Sequence, residues 1–248
     1  KKLLTFSVFA LFVSFAMAQN SNDKPLKKYN GYFNFSYDES EDKILLEVKD
    51  LDKEFLYVSS LSSGIGSNDI GLDRGQLGGE RVVKFIKAGN KLLLVQPNQD
   101  YRALTNNDLE RKSIEQAFAK SVLFGFPVKE EKNGVYTIDL TPFLMQDTHG
   151  VSNTLRRSGE GSYGLDTSKS AIWLERTKAF PKNVEFDVML TFKGDATGRN
   201  LRSVTPTSSL VTVNQHHSFL ELPDNNYQPR VFDVRSGAIP MSYMDYAT

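Results

Sequence analysis

Apolar and polar residues alternate with a period of two over much of this chain, the pattern of strands with one buried face. In GYFNFSYDESEDKILLEV, Phe33, Phe35 and Tyr37 alternate with Asn34, Ser36 and Asp38; the acidic DESED turns the chain and KILLEV runs back. That predicts a hairpin, and EFLYVSSL (54–61) predicts a third strand. RVVKFIKAGNKLLLVQ (81–96) is a second hairpin turning at Gly89-Asn90, its LLLV arm apolar on both faces as in a doubly covered strand. The clearest strand is VEFDVMLTFK (184–193): Val184, Phe186, Val188, Leu190 and Phe192 face one way, Glu185, Asp187 and Thr191 the other. SLVTVNQHHSFLEL (209–222) is another long strand.

The period changes to 3.6 in NNDLERKSIEQAFAKSVLFG. Asn107 is placed to cap a helix with Glu110 three residues on. Ile114, Ala117, Phe118 and Val122 share a face, and Gly125 is expected to stop the run. One principal helix near 107–123 is therefore expected. Asn133-Gly134 is a strong hairpin signal, and TPFLMQD (141–147) suits a short helix opened by Thr141 with Pro142 at its first position. About nine hairpin-connected strands against one solid helix give the class: α+β, mainly antiparallel β. Sheet topology does not follow from such patterns.

The ends differ from the middle. Lys1 and Lys2 precede a thirteen-residue apolar run, LLTFSVFALFVSF (3–15), and Ala16-Met17-Ala18 has the small-x-small form that a signal peptidase reads. Thirteen residues are too few to span a bilayer. Residues 1–18 are expected to be an export signal and 19–29 a polar leader, leaving a β-rich domain over 30–222. Localisation is then outside the cytoplasm: periplasm, cell surface or medium. Residues 223–248 are rich in Pro, Asn and aromatics and end in MSYMDYAT, an unusually apolar finish.

The chain has no cysteine, so disulfides do not staple it and its core must suffice. Removal of Lys1 and Lys2 leaves 28 basic residues against 30 acidic, a net charge of −2. That balance argues against nucleic acid or an anionic membrane as partner.

Candidate chemistry is thin. The loop at 64–79 holds six glycines but has neither GK[ST] nor GxGxxG, and it joins strand to strand; its glycines suit turns better than phosphate. Of three histidines, His216 and His217 are adjacent on a strand and leave on opposite faces. His149, in QDTHGV with Asp147 two residues before it, lies in no metal-ligand spacing. There is no G-x-S-x-G. A glycosidase-type carboxylate pair leaves no local signature, and no carboxylate is singled out. Trp173, in SAIWLERT, is expected in the core. No catalytic, cofactor-binding or metal-ligating residue is assigned.

Several stretches together resemble a known family: GLDRGQLGGERVVKF, GNKLLLVQPNQDYRA, IEQAFAKSVLFGF, the DTHGV turn, SAIWLERTKAFPKNVEFDVMLTF and VNQHHSFLELPDNNYQPRVFDVRSG. Over about 30–248 they resemble the N-terminal domain, without assigned function, of large secreted bacterial zinc-dependent metalloproteases. The resemblance implies that a zinc-binding HExxH helix lies in a separate downstream domain, so zinc is implied there and no cofactor here. The chain is then expected to be a non-catalytic scaffold or prodomain-like part, with 223–248 a connector toward the missing peptidase. Apolar surface there would need a cover, and Tyr227, Ile239, Met241, Tyr243, Met244, Asp245 and Tyr246 are the candidate interdomain contacts. Without a cysteine there is no thiol to cap a zinc; Asp245 is the acidic candidate nearest the seam. The alternative is an exported module binding peptide or glycan, for which an exposed strand edge or tyrosine strip would be the sign. A self-sufficient hydrolase is a third, weaker option.

Overall fold

The computed structural model describes residues 26–239 and 241–247; the expected export signal and the leader up to residue 25 lie outside them. The chain begins with β1 (Lys27–Tyr29), β2 (Asn34–Asp38) and β3 (Lys43–Val48), then β4 (Phe55–Ser63), β5 (Leu77–Ala88) and β6 (Lys91–Gln96). A two-residue β7 (Tyr101–Arg102) leads to α1 (Asp108–Ala117) and the hairpin of β8 (Ser121–Lys132) and β9 (Val135–Asp139). Short helices α2 (Thr141–Leu144) and α3 (Val151–Arg157) follow, then β10 (Gly161–Leu165), β11 (Ala171–Ile172) and β12 (Lys178–Ala179). The long strands β13 (Asn183–Ala196) and β14 (Leu210–Glu221) flank α4 (Arg199–Val204), and β15 (Met244–Asp245) comes last.

The fold is mainly antiparallel β, as the period-two pattern requires, but the expected nine strands are an undercount. Thirteen strands share one sheet, ordered β1-β2-β3-β9-β8-β6-β5-β4-β14-β13-β10, with β11 and β12 also on β13. The additional strands are the two- and three-residue pieces β1, β11 and β12, too short to show alternation, and the five-residue β10, whose GSYGL carries two glycines and no apolar alternation. β1 lies within the segment expected to be a polar leader. Asn133 and Gly134 turn the β8–β9 hairpin with φ of 53° and 77°, the two positive values a type I′ turn requires.

The expected helix over 107–123 is cut short. Asn107 does cap it, its side chain accepting from the Leu109 N–H at 3.0 Å, and its amide donates to Glu110 at 2.9 Å. The helix ends at Ala117; Val122 and Gly125 belong to β8, paired with Val95 and Leu93. No residue of α1 is buried. Three further α-helices are present among the described residues. The expected short helix α2 starts at Thr141 with Pro142 in its first turn and Leu140 as its cap residue; the Thr141 hydroxyl does not cap it but accepts from the Ile44 N–H at 2.9 Å. The irregular stretch ends earlier than expected, because Gly78 and Gly79 lie in β5.

The sheet curls until β2 faces β13 across the core. The Phe35 and Phe186 rings lie 5.0 Å apart, and the Tyr32 N–H donates to the Phe180 carbonyl at 2.8 Å beside the gap. At that closure a Cβ on Gly31 would stand 2.6 Å from the Phe180 oxygen, so only glycine fits. Inside are fully buried aromatics from six elements, among them Phe55, Tyr57, Phe85, Phe126, Phe143, Phe186 and Phe219. The α2 residue Phe143 plugs the interior against Tyr57, Phe126, His217 and Phe219.

Candidate functional site

β13 and β14 pair over eleven positions, with Asp187 opposite His216 and Glu185 opposite Ser218. β4 adds Ser60 opposite His216 on the other side. Apolar residues of these strands point inward, so their polar residues meet on the outer face.

There His216 is gripped at both ends. Its Nε2 lies 2.8 Å from Glu185 Oε2 and its Nδ1 3.1 Å from Asp187 Oδ2. Ser62 Oγ donates to Asp187 Oδ2 at 2.5 Å, Asn214 Nδ2 to Asp187 Oδ1 at 3.0 Å, and the Ser218 hydroxyl to Glu185. Burial works against a charged imidazole, but the hydrogen bonds its N–H groups donate to Asp187 and Glu185, with the charges of those carboxylates, outweigh it and raise the His216 pKa to about 9. Burial likewise opposes the two carboxylates; donors from His216, Ser62, Asn214, Ser218 and Asn183 nevertheless hold both below their usual range. At neutral pH His216 is thus an imidazolium between two carboxylates. Both ring N–H groups are committed, so it is neither a free base nor a nucleophile's partner.

A groove of about 610 Å³ opens over this cluster, lined by Ser60, Leu61, Ser62, Arg74, Gly75, Arg176, Lys178, Phe180, Glu185 and His216. One wall is the β4–β5 loop and the other the 173–180 segment. Trp173, expected in the core, is 37% exposed beside that wall; its backbone N–H donates to the Asp187 carbonyl at 2.7 Å. Its place follows from the turn between β11 and β12, which lifts the residue off the sheet.

His217, one residue on, faces inward and is fully buried. Its Nδ1 lies 2.9 Å from Tyr57 Oη and its Nε2 3.0 Å from Gln215 Nε2. Gln215 donates there, so Nε2 is unprotonated and the neutral ring donates from Nδ1. Burial first, then the charge of His216, pushes its pKa down to about 3. His149 and Asp147 do not form a pair. Asp147 accepts from the Val151 and Ser152 N–H groups at 2.7 and 2.9 Å, capping α3. The His149 backbone N–H donates to Gln215 Oε1 at 2.9 Å, and burial lowers the pKa of its ring although the Asp147 charge opposes this. Among the described residues no group of three or more His, Asp or Glu is arranged to hold a metal ion.

The candidate interdomain residues divide in two. Tyr227, Ile239 and Met241 stand in solvent, Ile239 and Met241 with 94% and 101% of their surface exposed. Tyr243, Met244, Asp245 and Tyr246 fold back on the chain. β15 pairs parallel with β7; Tyr246 packs 5.4 Å from Phe118, which stacks on Tyr101 at 3.9 Å; Arg102 lies 4.4 Å over the Tyr243 ring. The Asp245 carboxylate accepts from the Leu104 and Ala247 N–H groups at 3.0 and 3.1 Å, which lower its pKa. Among the described residues no helix is long and apolar enough to cross a membrane.

The outer cluster was not found by sequence reasoning, although its parts are visible as the polar alternates Glu185, Asp187, Asn214, His216 and Ser218. What was missing is the pairing of β13, β14 and β4. Comparison with known proteins adds the family but no activity. No curated protein and no solved structure matches the chain. A family model described as "Domain of unknown function (DUF5117)" matches residues 75–248, well over half of the chain, and the chain therefore belongs to that family.

Proposed function

We propose that this chain is the non-catalytic scaffold domain of an exported zinc-dependent metallopeptidase and holds the peptidase domain through its C-terminal segment. Zinc and the HExxH helix would belong to that further domain, encoded after Thr248. The observation that carries the reading is the run of bare apolar side chains at Tyr227, Val231, Val234, Ile239 and Met241, beyond the last strand of the large sheet. Apolar side chains left in water along one segment mark a surface meant to be covered. The returning β15 strand supports the same reading: it moors the segment at β7, so that what projects is held at both ends. The committed ring nitrogens of His216 and the buried position of His217 further support a domain without acid–base machinery of its own.

The test is calorimetric titration of this chain against the domain encoded after Thr248. Binding is expected, weakened roughly tenfold or more by Ile239→Ser with Met241→Ser, the loss typical of buried interface anchors. A reading frame without HExxH downstream, or a downstream domain that neither binds nor stabilises this chain, overturns the proposal.

A further inference from the structure

The groove over His216 carries an imbalance of charge that the fold does not need. Arg74, Arg176 and Lys178 line it, are exposed, and have no side-chain hydrogen bond or ion pair among the described residues. Glu185, the carboxylate of the lining, already accepts from His216 and Ser218, and the buried Asp187 beneath accepts from His216, Ser62 and Asn214. Counting the imidazolium, four positive groups line the groove against one carboxylate, Glu185, and Asp187 lies beneath with no side-chain exposure. The imidazolium neutralises part of the floor, so an incoming anion meets the cationic rim without strong repulsion from below.

The lining is not only charged. Phe180 is 45% exposed at the rim, and the carbon stems of Arg and Lys add apolar wall. A bare polyanion would satisfy the cations and leave Phe180 in water. A chain that alternates acidic and apolar side chains would use both. The volume of about 610 Å³ lies within the roughly 300–1,000 Å³ typical of ligand clefts.

We infer that this groove binds an extended acidic peptide, its carboxylates on Arg74, Arg176 and Lys178 and its apolar side chains against Phe180. The inference is independent of the C-terminal docking reading, since no described residue of 227–246 lines the groove.

Fluorescence anisotropy of the intact chain with a labelled peptide of alternating Glu and Leu, about eight residues long, tests it. Saturable binding is expected, weakened several-fold when salt is raised from about 50 to about 300 mM. A Gln-for-Glu peptide should bind at least roughly tenfold more weakly, and so should the acidic peptide to the variant Arg74→Gln with Arg176→Gln and Lys178→Gln. Phe180→Ser should weaken the acidic peptide while leaving inorganic polyphosphate unaffected. The inference is overturned by absence of binding, by equal affinity for the Gln peptide, or by polyphosphate binding as tightly as the acidic peptide. The peptide comparison uses the unaltered protein, so it stands even where a variant does not fold.

Discussion

His216 and His217 show how much a strand can separate two adjacent side chains. One points to solvent and its neighbouring carboxylates make it positive; the other points into the core and burial keeps it neutral. Their contributions to stability have opposite signs with pH. His216 has a raised pKa, so its stabilisation is fully present below its ordinary value of 6.5 and is lost as pH rises through about 9. His217 has a lowered pKa: the unfolded chain takes up a proton below 6.5 that the buried ring refuses, so stability falls as pH drops from 6.5 toward about 3. The lowered carboxylates Glu185 and Asp187 steepen the acid side further, since their stabilisation is lost as they protonate. Urea denaturation across pH is expected to show greatest stability near 6.5. His216→Gln should flatten the alkaline limb, whose full height is on the order of 3 kcal/mol from the size of the shift. An alkaline limb unchanged in that variant would exclude the imidazolium as its source.

Among the elements, α1 is the least secured. It has its cap at Asn107 but no buried residue, and an isolated helix of its length is marginal in water. Its amides are expected to exchange hydrogen far faster than those of β13 and β14. Asn107→Ala should cost about 1 kcal/mol locally yet barely move the global unfolding midpoint; protection in α1 equal to the central strands would contradict this. The same element shows where sequence patterns mislead. Ile114, Phe118 and Val122 are spaced as a helical face, but Val122 and Gly125 have partners in β6, and that tertiary pairing overrides the local period. Hairpins closed by a tight turn, as at Asn133-Gly134, were legible because their geometry is local. So was the inward face of β13, where all five alternating apolar residues are buried. Edge strands of two residues have too few positions to alternate. The site was legible only as unpaired halves, because Glu185 and His216, 31 positions apart, meet only through the register of β13 on β14.

For the molecule as a whole, one curled sheet encloses one aromatic core, so damage at its centre should be felt everywhere. Phe219 touches Phe33, Phe55, Tyr57, Phe143 and Phe186, residues drawn from opposite ends of the sheet order. Phe219→Ala is expected to destabilise by about 3–5 kcal/mol and to leave unfolding a single transition by both fluorescence and circular dichroism. Two separated transitions would show that the halves of the sheet are independent.

The pairing of β4 with β14 has a consequence in time. β4 comprises residues 55–63 and its partner residues 210–221, so at a synthesis rate of roughly 5–20 residues per second the first waits many seconds for the second. During that interval an edge of β4 that will be central in the finished sheet is open to any other strand. This sheet therefore cannot lock into its final form until residues 210–221 have left the ribosome. Such a delay leaves it threadable, and also makes a holding chaperone most valuable over the stretch between Ser63 and Leu210.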